Sequence, residues 1–353
     1  MRAVRVGAGR RQEWDDLVAA APSFSLLQSW AWGEFKEATG WRAVRVGVED
    51  GGRLVAGAQV LVRPAPLRAA SVAYVPRGPF GDWARPDVAT VLFPTLDDAA
   101  REHRALFLRV EPAVVHGSPA LGALRAAGFC EIPAATNQPR ATIVVDIAPE
   151  PDAILAAMHQ KTRYNIRYGE RRGVEVRVGS PDDADTVHAL LHETARRAGF
   201  RARSRRYYRE QLECLTRAGH VHVLVASHDG RPIAVNVSAA FGPHAAYLHG
   251  ASLDVHPELK ANAVLMWRAM QWARARGCTS FDLWGIPDEV GIAATEGREL
   301  LPDGSTHGLW GVYRFKRGFG GSTVCFAAAH DRPYVAPLYR VVTRVLDRSG
   351  ERG

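Results

Sequence analysis

Pro149-Glu150-Pro151 divides this 353-residue chain into two stretches that carry the same succession of patterns. Two prolines one residue apart fix φ and remove two N–H donors, so neither a helix interior nor a central strand runs through them. Before them, two-residue alternation predicts strands at 2–6, 41–48, 53–62, 70–75, 105–110 and 141–147. Helical patterns fall at 11–20, 87–103 and 119–127, the last closed by Gly128, and Ser29 is placed to cap a helix bearing Trp32 and Phe35 on one face. Glu49-Asp50-Gly51-Gly52 is a hairpin signal, and Pro76-Arg77-Gly78-Pro79 a rigid turn. After the prolines the layout begins again. A helix at 152–171 and a strand at 174–178 lead to helices at 181–198 and 204–218. A meander follows at 220–227, 233–241 and 245–251, then a helix at 261–276 and a strand at 279–284. The polar, glycine-rich stretch 286–307 reads as loop, 322–328 as a last strand and 336–347 as a last helix. These patterns predict an α+β chain of two domains, 1–148 and 149–353, with mixed sheets flanked by helices. The length agrees, since one core rarely serves so long a chain.

The net charge of +8 points to acidic partners, while 47% hydrophobic and 23% charged residues exclude extended disorder. Cys130, Cys214, Cys278 and Cys325 stand far apart with no metal-ligand spacing, and read as reduced core residues. No apolar h-region follows Met1, and no run is long enough to span a bilayer, so the expectation is a cytoplasmic enzyme. His188 and His192 share a helix face, but Ala189 stands where a zinc-protease motif needs Glu. In the last helix, Arg340, Arg344 and Arg348 form a row beside Leu338, Val341, Val342, Val345 and Leu346. Packing on the second domain is the favoured reading of that helix. Weak attachment to an anionic inner membrane leaflet is the sharper one.

The densest chemistry lies in Gly311-Val312-Tyr313-Arg314-Phe315-Lys316-Arg317-Gly318-Phe319-Gly320-Gly321. Lysine occurs only at Lys36, Lys161, Lys260 and Lys316 in a chain with 45 Lys and Arg together. Where nearly every cation is arginine, a lysine indicates a need for a compact ammonium with three rotatable donors. An ordinary flanking cation is the plain alternative.

Four stretches in order resemble the Fem family of peptidyltransferases, which extend the side bridges of bacterial peptidoglycan. They are Leu27-Gln28-Ser29-Trp30-Ala31-Trp32-Gly33-Glu34-Phe35-Lys36, Lys161-Thr162-Arg163-Tyr164-Asn165-Ile166-Arg167, Tyr247-Leu248-His249-Gly250-Ala251-Ser252, and Phe281-Asp282-Leu283-Trp284-Gly285 with 313–320. The resemblance runs from about residue 25 to 325 and implies two tandem GNAT-like subdomains with a cleft between them. It implies an aminoacyltransferase whose partners are aminoacyl-tRNA and a muropeptide precursor, lipid- or UDP-linked. The helices of 181–218 are too short for a coiled-coil arm, so the chain looks like the armless type. By position, Lys36 and Arg203 match cations on the muropeptide diphosphate, and Tyr207 or Tyr208, with Tyr247, match substrate tyrosines. Phe315 and Lys316 match the pair beside the aminoacyl ester. Glu111 stands where the family often has Asp before Pro, a departure that weakens a role for its charge.

Aminolysis of an ester calls for no cofactor and no metal. The acceptor amine, with a pKa near ~10.4, must lose a proton. The oxyanion of the tetrahedral intermediate must be stabilised, a task that falls to Lys316. Glu111, Asp282 and solvent stand as candidate bases. Two other functions compete. An acyl-CoA N-acyltransferase of the same fold would need an Arg/Gln-x-x-Gly-x-Gly/Ala turn before a helix; Arg317-Gly318-Phe319-Gly320-Gly321-Ser322 comes near but ends in Ser and precedes a strand. A non-enzymatic RNA-binding module suits the net charge but lacks an aromatic and basic strand pattern.

Overall fold

A computed structural model of the chain describes residues 1–64, 70–132, 137–199, 201–301 and 308–349, the last six of these without side chains. The chain divides into two compact units, 1–140 with 326–353, and 141–325. The first unit opens with β1 (Arg2–Arg5), α1 (Arg11–Ala19), α2 (Trp30–Ala38), β2 (Arg42–Asp50), β3 (Arg53–Pro64), β4 (Ser71–Pro76) and β5 (Phe80–Gly81). It continues through α3 (Pro86–Glu102), β6 (Ala105–Glu111), α4 (Leu121–Ala126) and β7 (Cys130–Ile132). The second unit holds β8 (Ala141–Asp146), α5 (Pro151–Ala157), α6 (Gln160–Arg171), β9 (Glu175–Val178), α7 (Ala184–Ala198) and α8 (Arg205–Arg217). Then come β10 (Val221–His228), β11 (Arg231–Phe241), β12 (His244–Ser252), α9 (Ala261–Ala275), β13 (Ser280–Asp282), α10 (Asp288–Thr295), α11 (Trp310–Lys316) and β14 (Ser322–Cys325). Finally β15 (Ala329–Pro333) and α12 (Ala336–Ser349) complete the first unit.

Local signals act as expected. The Ser29 side chain accepts the Trp32 N–H at 3.1 Å, supplying one of the partners that a helix N-terminus lacks. At the β2–β3 hairpin Asp50 pairs with Arg53, and Gly51 and Gly52 take positive φ, the geometry that matches the strand twist.

The first sheet has the order β1-β2-β3-β4-β6-β15-β7, with β5 paired to β3. Its core is built by the apolar stripe of α3, Val88, Leu92, Leu96 and Ala99, against inward residues such as Val46, Val60 and Val75. The second sheet runs β14-β8-β13-β12-β11-β10-β9. It is covered on both faces, and alternation sorts its strands between two cores. Val223, Val225, Val235 and Val237 meet Val187, Leu191 and Leu212 of α7 and α8. Leu224, Ala226 and Ala234 fall on the side of Leu265, Met266 and Met270 of α9.

Several expectations change. The proposed division at 148/149 differs from the observed units. β8, expected to close the first half, pairs with β13 and β14 in the second sheet, while 326–353 belong with the first unit. The strand expected at 322–328 is two strands in two sheets, β14 on β8 and β15 between β6 and β7. α12 therefore packs on the first unit: Tyr339 sets its ring edge-on to Phe107 at 5.3 Å, while Leu338 and Val341 stay exposed. The helix expected at 152–171 is α5 and α6. Met158 takes an extended conformation between them, and the His159 N–H is then free of the helix and reaches the Gly318 carbonyl at 2.9 Å. Within the stretch expected as loop, α10 forms because Gly291, without a Cβ, lies flush against Ala141 and Cys325. Cys278 and Cys325 are buried, whereas Cys130 on β7 is exposed, because that strand is the sheet edge. Among the described residues no helix is long and apolar enough to cross a membrane.

Candidate active site

Lys316 is the last residue of α11 and is buried, 4% exposed. Its Nζ donates to the carbonyl oxygens of Trp284 at 3.0 Å and Gly285 at 2.7 Å. Those carbonyls are placed by the end of β13. The Asp282 Oδ1 accepts the Trp284 N–H at 2.7 Å and the Thr142 hydroxyl, and Trp284 is held at φ +63°. A non-glycine residue in the left-handed region is strained and persists only where its surroundings impose it. Here the Asp282 carboxylate imposes it, and two successive carbonyls turn to one ammonium. Burial pulls the Lys316 ammonium down from its ordinary value to about 7, and the Asp282 charge opposes that fall. Asp282, a candidate base from the sequence, is thus engaged as the organiser of this turn.

An ammonium has three N–H bonds, and two of these are directed at the carbonyls. The Tyr247 ring centroid lies 5.7 Å from the same Nζ. Tyr247 is positioned by a break in β12. The register shifts between Val237 and Ser238, so Tyr247 pairs with Ser238 and His249 with Val237. In an unbroken strand these two residues would share a face; the bulge sends them to opposite faces. It also brings Gly250 under the Tyr247 phenol, where any Cβ would collide with the ring. Burial pushes the Tyr247 phenol well above its usual range, so it stays neutral.

Phe315, half-buried, stands edge-on to Phe319 at 5.1 Å. It lines a pocket of about 240 Å³ together with Asn165, Arg197, His256, Lys260 and Asn262. The pocket opens at the N-terminus of the 15-residue α9, whose cap residue Lys260 has φ +55°. Two cations beside a helix N-terminus favour an anion.

On the opposite face of β12, Tyr208 is buried against His249, ring centroids 5.4 Å apart, and the His249 Nε2 donates to the Gln211 Oε1 at 2.8 Å. Burial lowers His249 to about 4, which keeps it neutral and its Nε2–H on Gln211. Ser204 caps α8 by accepting the Tyr207 N–H at 3.2 Å, and the Arg203 guanidinium lies 5.6 Å from the Tyr207 ring. Burial pushes the Tyr207 phenol up to about 12. His188 and His192 lie on α7 with ring centroids 5.9 Å apart, His188 facing Tyr208. Among the described residues no group of three or more His, Cys, Asp or Glu is placed to hold a metal ion.

Two predicted residues belong to the first unit. Lys36, 4% exposed, sits at the end of α2 with its Nζ 5.4 to 5.6 Å from the ring centroids of Phe35, Trp32 and Trp41. A buried ammonium within reach of three aromatic faces is held by their quadrupoles and stiffly placed. Glu111 ends β6 and is 5% exposed. Its carboxylate accepts the Tyr74 hydroxyl at 2.6 Å, the Gln138 N–H at 3.0 Å and the Asn137 N–H. Burial raises its pKa, and these donors, Tyr74 foremost, hold it back.

Lys316 and Tyr247 therefore come together beside the turn at Trp284-Gly285, Phe315 lines the pocket at the start of α9, and Arg203, Tyr207 and Tyr208 gather at the start of α8. Sequence reasoning missed the carbonyls of Trp284 and Gly285, the organising role of Asp282, and Gly250. A glycine inside a strand three residues after a tyrosine was the signal for the last of these.

Residues 10–118 match the FemAB family, and residues 157–295 match the acetyltransferase (GNAT) domain. The lipid II:glycine glycyltransferase of Staphylococcus saprophyticus is 23% identical over 95% of this chain and 94% of its own length. That of Staphylococcus aureus (strain MRSA252) is 22% identical over 96% and 94%. Among solved structures, that of FemX superposes with a TM-score of 0.84 at 21% identity, covering 97% of this chain and all of that one. A tandem GNAT protein from the clavulanic acid biosynthesis pathway gives 0.55 at 14% identity, covering 94% and 98%. The fold is accordingly two tandem GNAT-like domains.

Proposed function

The chain belongs to the Fem family, and from that premise we propose that it moves an aminoacyl group from aminoacyl-tRNA to peptidoglycan. The acceptor is the side-chain amine of the stem-peptide diamino acid, on a lipid-linked or UDP-linked precursor. Glycine, alanine or serine is the group transferred. The catalysed reaction is aminoacyl transfer, as it is in the glycyltransferases among its relatives.

The observation that carries this reading is the Lys316 ammonium, fixed by two carbonyls and facing Tyr247. The neutral acceptor nitrogen attacks the ester carbonyl carbon, and the C=O electron pair moves to oxygen. The third N–H of Lys316 donates to that oxyanion. When the intermediate collapses, the bond to the ribose oxygen breaks, an amide forms, and the proton lost by nitrogen ends on the ribose hydroxyl through solvent. Growing negative charge beside an ammonium that burial has weakened strengthens their interaction in the transition state, which is where catalysis needs it. The pocket beside Phe315, with Arg197 and Lys260, suits the phosphates near the donor's 3′ end.

Lys36 and Arg203 are each assigned to phosphate binding on the precursor, and Tyr207 or Tyr208, and Tyr247, to substrate contact. Glu111 is assigned with the substrate-binding residues, and its carboxylate holds the backbone of 137–138. Lys36→Met is expected to raise KM for the UDP-linked muropeptide about 10–100-fold, the loss of one charged hydrogen bond, with kcat nearly unchanged. An unaltered KM in steady-state assays removes the diphosphate role.

The direct test gives the purified protein tRNAs charged with glycine, alanine or serine, and each muropeptide. A mass gain of one aminoacyl residue on the muropeptide is expected. Transfer from acetyl-CoA, with none from any charged tRNA, would overturn the reading.

A further inference from the structure

The proposed reaction leaves the outer face of α6 without a role. Between Gln160 and Arg172 there are five cations and a single carboxylate, Glu170. Glu170 is turned to Arg268, 3.1 Å away, and Arg163 is used internally, its Nη1 donating to the carbonyls of Ala156 (3.2 Å) and Met158. The remaining cations lie on the solvent side. Thr162, Ile166 and Gly169 form the inward face of α6, Ile166 and Gly169 being buried. Lys161, Tyr164, Tyr168, Arg171 and Arg172 recur at helical spacing on the other side, with Arg167 beside them.

Two rings sit within this basic stripe. Tyr164 is 56% exposed and stacks on Tyr168, with centroids 5.6 Å apart and planes 29° apart, and the Arg172 guanidinium lies 5.0 Å from the Tyr168 ring. A large aromatic left in water on a helix that already has a satisfied inward face gains nothing for folding. Cations alternating with stacked rings on one face match a nucleic acid, whose phosphates take the charges and whose bases or sugars take the ring faces. A lipid surface would instead be met by aliphatic side chains, and the aliphatic residue of α6, Ile166, points inward.

The stripe is also joined to the site. The His159 N–H at the start of α6 donates to the Gly318 carbonyl at 2.9 Å, and Gly318 has no Cβ because Thr162 fills that space. Gly318 is two residues beyond Lys316. Asn165, one residue past Tyr164, lines the pocket that Phe315 also lines.

We propose that the outer face of α6, Lys161, Tyr164, Arg167, Tyr168, Arg171 and Arg172, is the docking surface for the body of the donor tRNA next to its aminoacylated end. The proposal rests on the reading of aminoacyl-tRNA as donor. Its test separates the two. Binding of deacylated tRNA is followed by fluorescence anisotropy across a salt series, for the wild type and for Arg167→Glu/Arg171→Glu/Arg172→Glu. Affinity is expected to fall at least about tenfold, and the slope of log K against log salt to shrink by about 0.7–0.9 for each phosphate that is no longer neutralised. Tyr164→Ala/Tyr168→Ala is expected to weaken binding about tenfold with the slope kept. Arg167→Lys/Arg171→Lys/Arg172→Lys should bind within about threefold of wild type and serves as the folded control.

Transfer is measured in parallel from full-length charged tRNA and from an aminoacylated trinucleotide too short to reach α6. The charge-reversed variant should lose the first activity through KM and keep the second. If the wild type transfers from neither donor, the reaction reading fails while the binding series still decides the docking surface. If the reversed variant binds tRNA like wild type with the same slope, the docking surface is wrong. Loss of binding only to vesicles of equal parts phosphatidylglycerol and phosphatidylethanolamine, with tRNA affinity unchanged, overturns it too and makes this a membrane face.

Discussion

Substituting methionine for Lys316 will slow aminoacyl transfer about 10²–10³-fold, the usual loss when one oxyanion donor is removed, and will leave the chain folded. Methionine nearly matches the lysine stem in length and brings no charge into a site that is 4% exposed. It leaves the Trp284 and Gly285 carbonyls without their donor, at a cost of roughly 1–3 kcal/mol each if no water replaces it. A compensation works in the other direction. Because burial lowers the folded-state pKa of Lys316 to about 7, the unfolded chain binds the extra proton between there and its ordinary value of 10.5. Wild-type stability therefore rises with pH across that window, the full cost of the buried charge being present below it, and the variant is free of that cost.

The same shift shapes the pH profile. In kcat/KM, which reports the free enzyme, the ammonium is lost as pH rises through about 7, while the neutral fraction of the acceptor amine keeps growing toward ~10.4. The wild-type profile should climb to about pH 7 and then level off. The residual activity of Lys316→Met should go on climbing. A wild-type rate that still rises tenfold per pH unit between 7 and 9 would show that the ammonium form is not the active one.

Arg109→Ala is expected to destabilise the first unit by about 3–5 kcal/mol, the cost of leaving a buried charge alone. Arg109 on β6 and Asp331 on β15 face each other across the antiparallel ladder. Their bidentate pair, 2.8 Å from Nε and 2.7 Å from Nη2, is closed to water, Asp331 being fully buried. Tyr339 of α12 adds its hydroxyl to the Asp331 Oδ2 at 2.9 Å. This cluster is how the last strand and helix are held to a sheet begun more than two hundred residues earlier. Hydrogen exchange at the β6 and β15 amides should accelerate about 10²–10⁴-fold in Arg109→Ala. Arg109→Leu with Asp331→Leu, which removes both charges, should lose much less. Equal losses in the two variants would mean that volume, not charge, is what these positions contribute.

Part of the candidate site was legible because rare residue choices carry chemistry. A lysine among arginines marked Lys316 and Lys36, and both are buried ammoniums. What could not be read was the partner set. The two carbonyls on Lys316 come from Trp284 and Gly285, about thirty residues away, and they point there only because Asp282 captures the Trp284 N–H. Backbone carbonyls are present at every residue, so no spacing in the sequence distinguishes these two. Tyr247 and Gly250 present the same difficulty. The strand is visible in its alternation, but a one-residue bulge, set by pairing with β11, decides which face each side chain takes.

Residues a few positions apart were enough to specify the succession of strands and helices, the Ser29 cap, the hairpin at Gly51-Gly52 and the lysines worth asking about, since each depends on near neighbours. Packing between distant segments was needed to place β8 in the second sheet, to split 322–333 between two sheets, and to bring Lys316 to two carbonyls and a tyrosine ring. A strand's alternation says which side chains point inward but not which edge it pairs with. That choice is made by hydrogen bonds and burial between segments far apart in the chain.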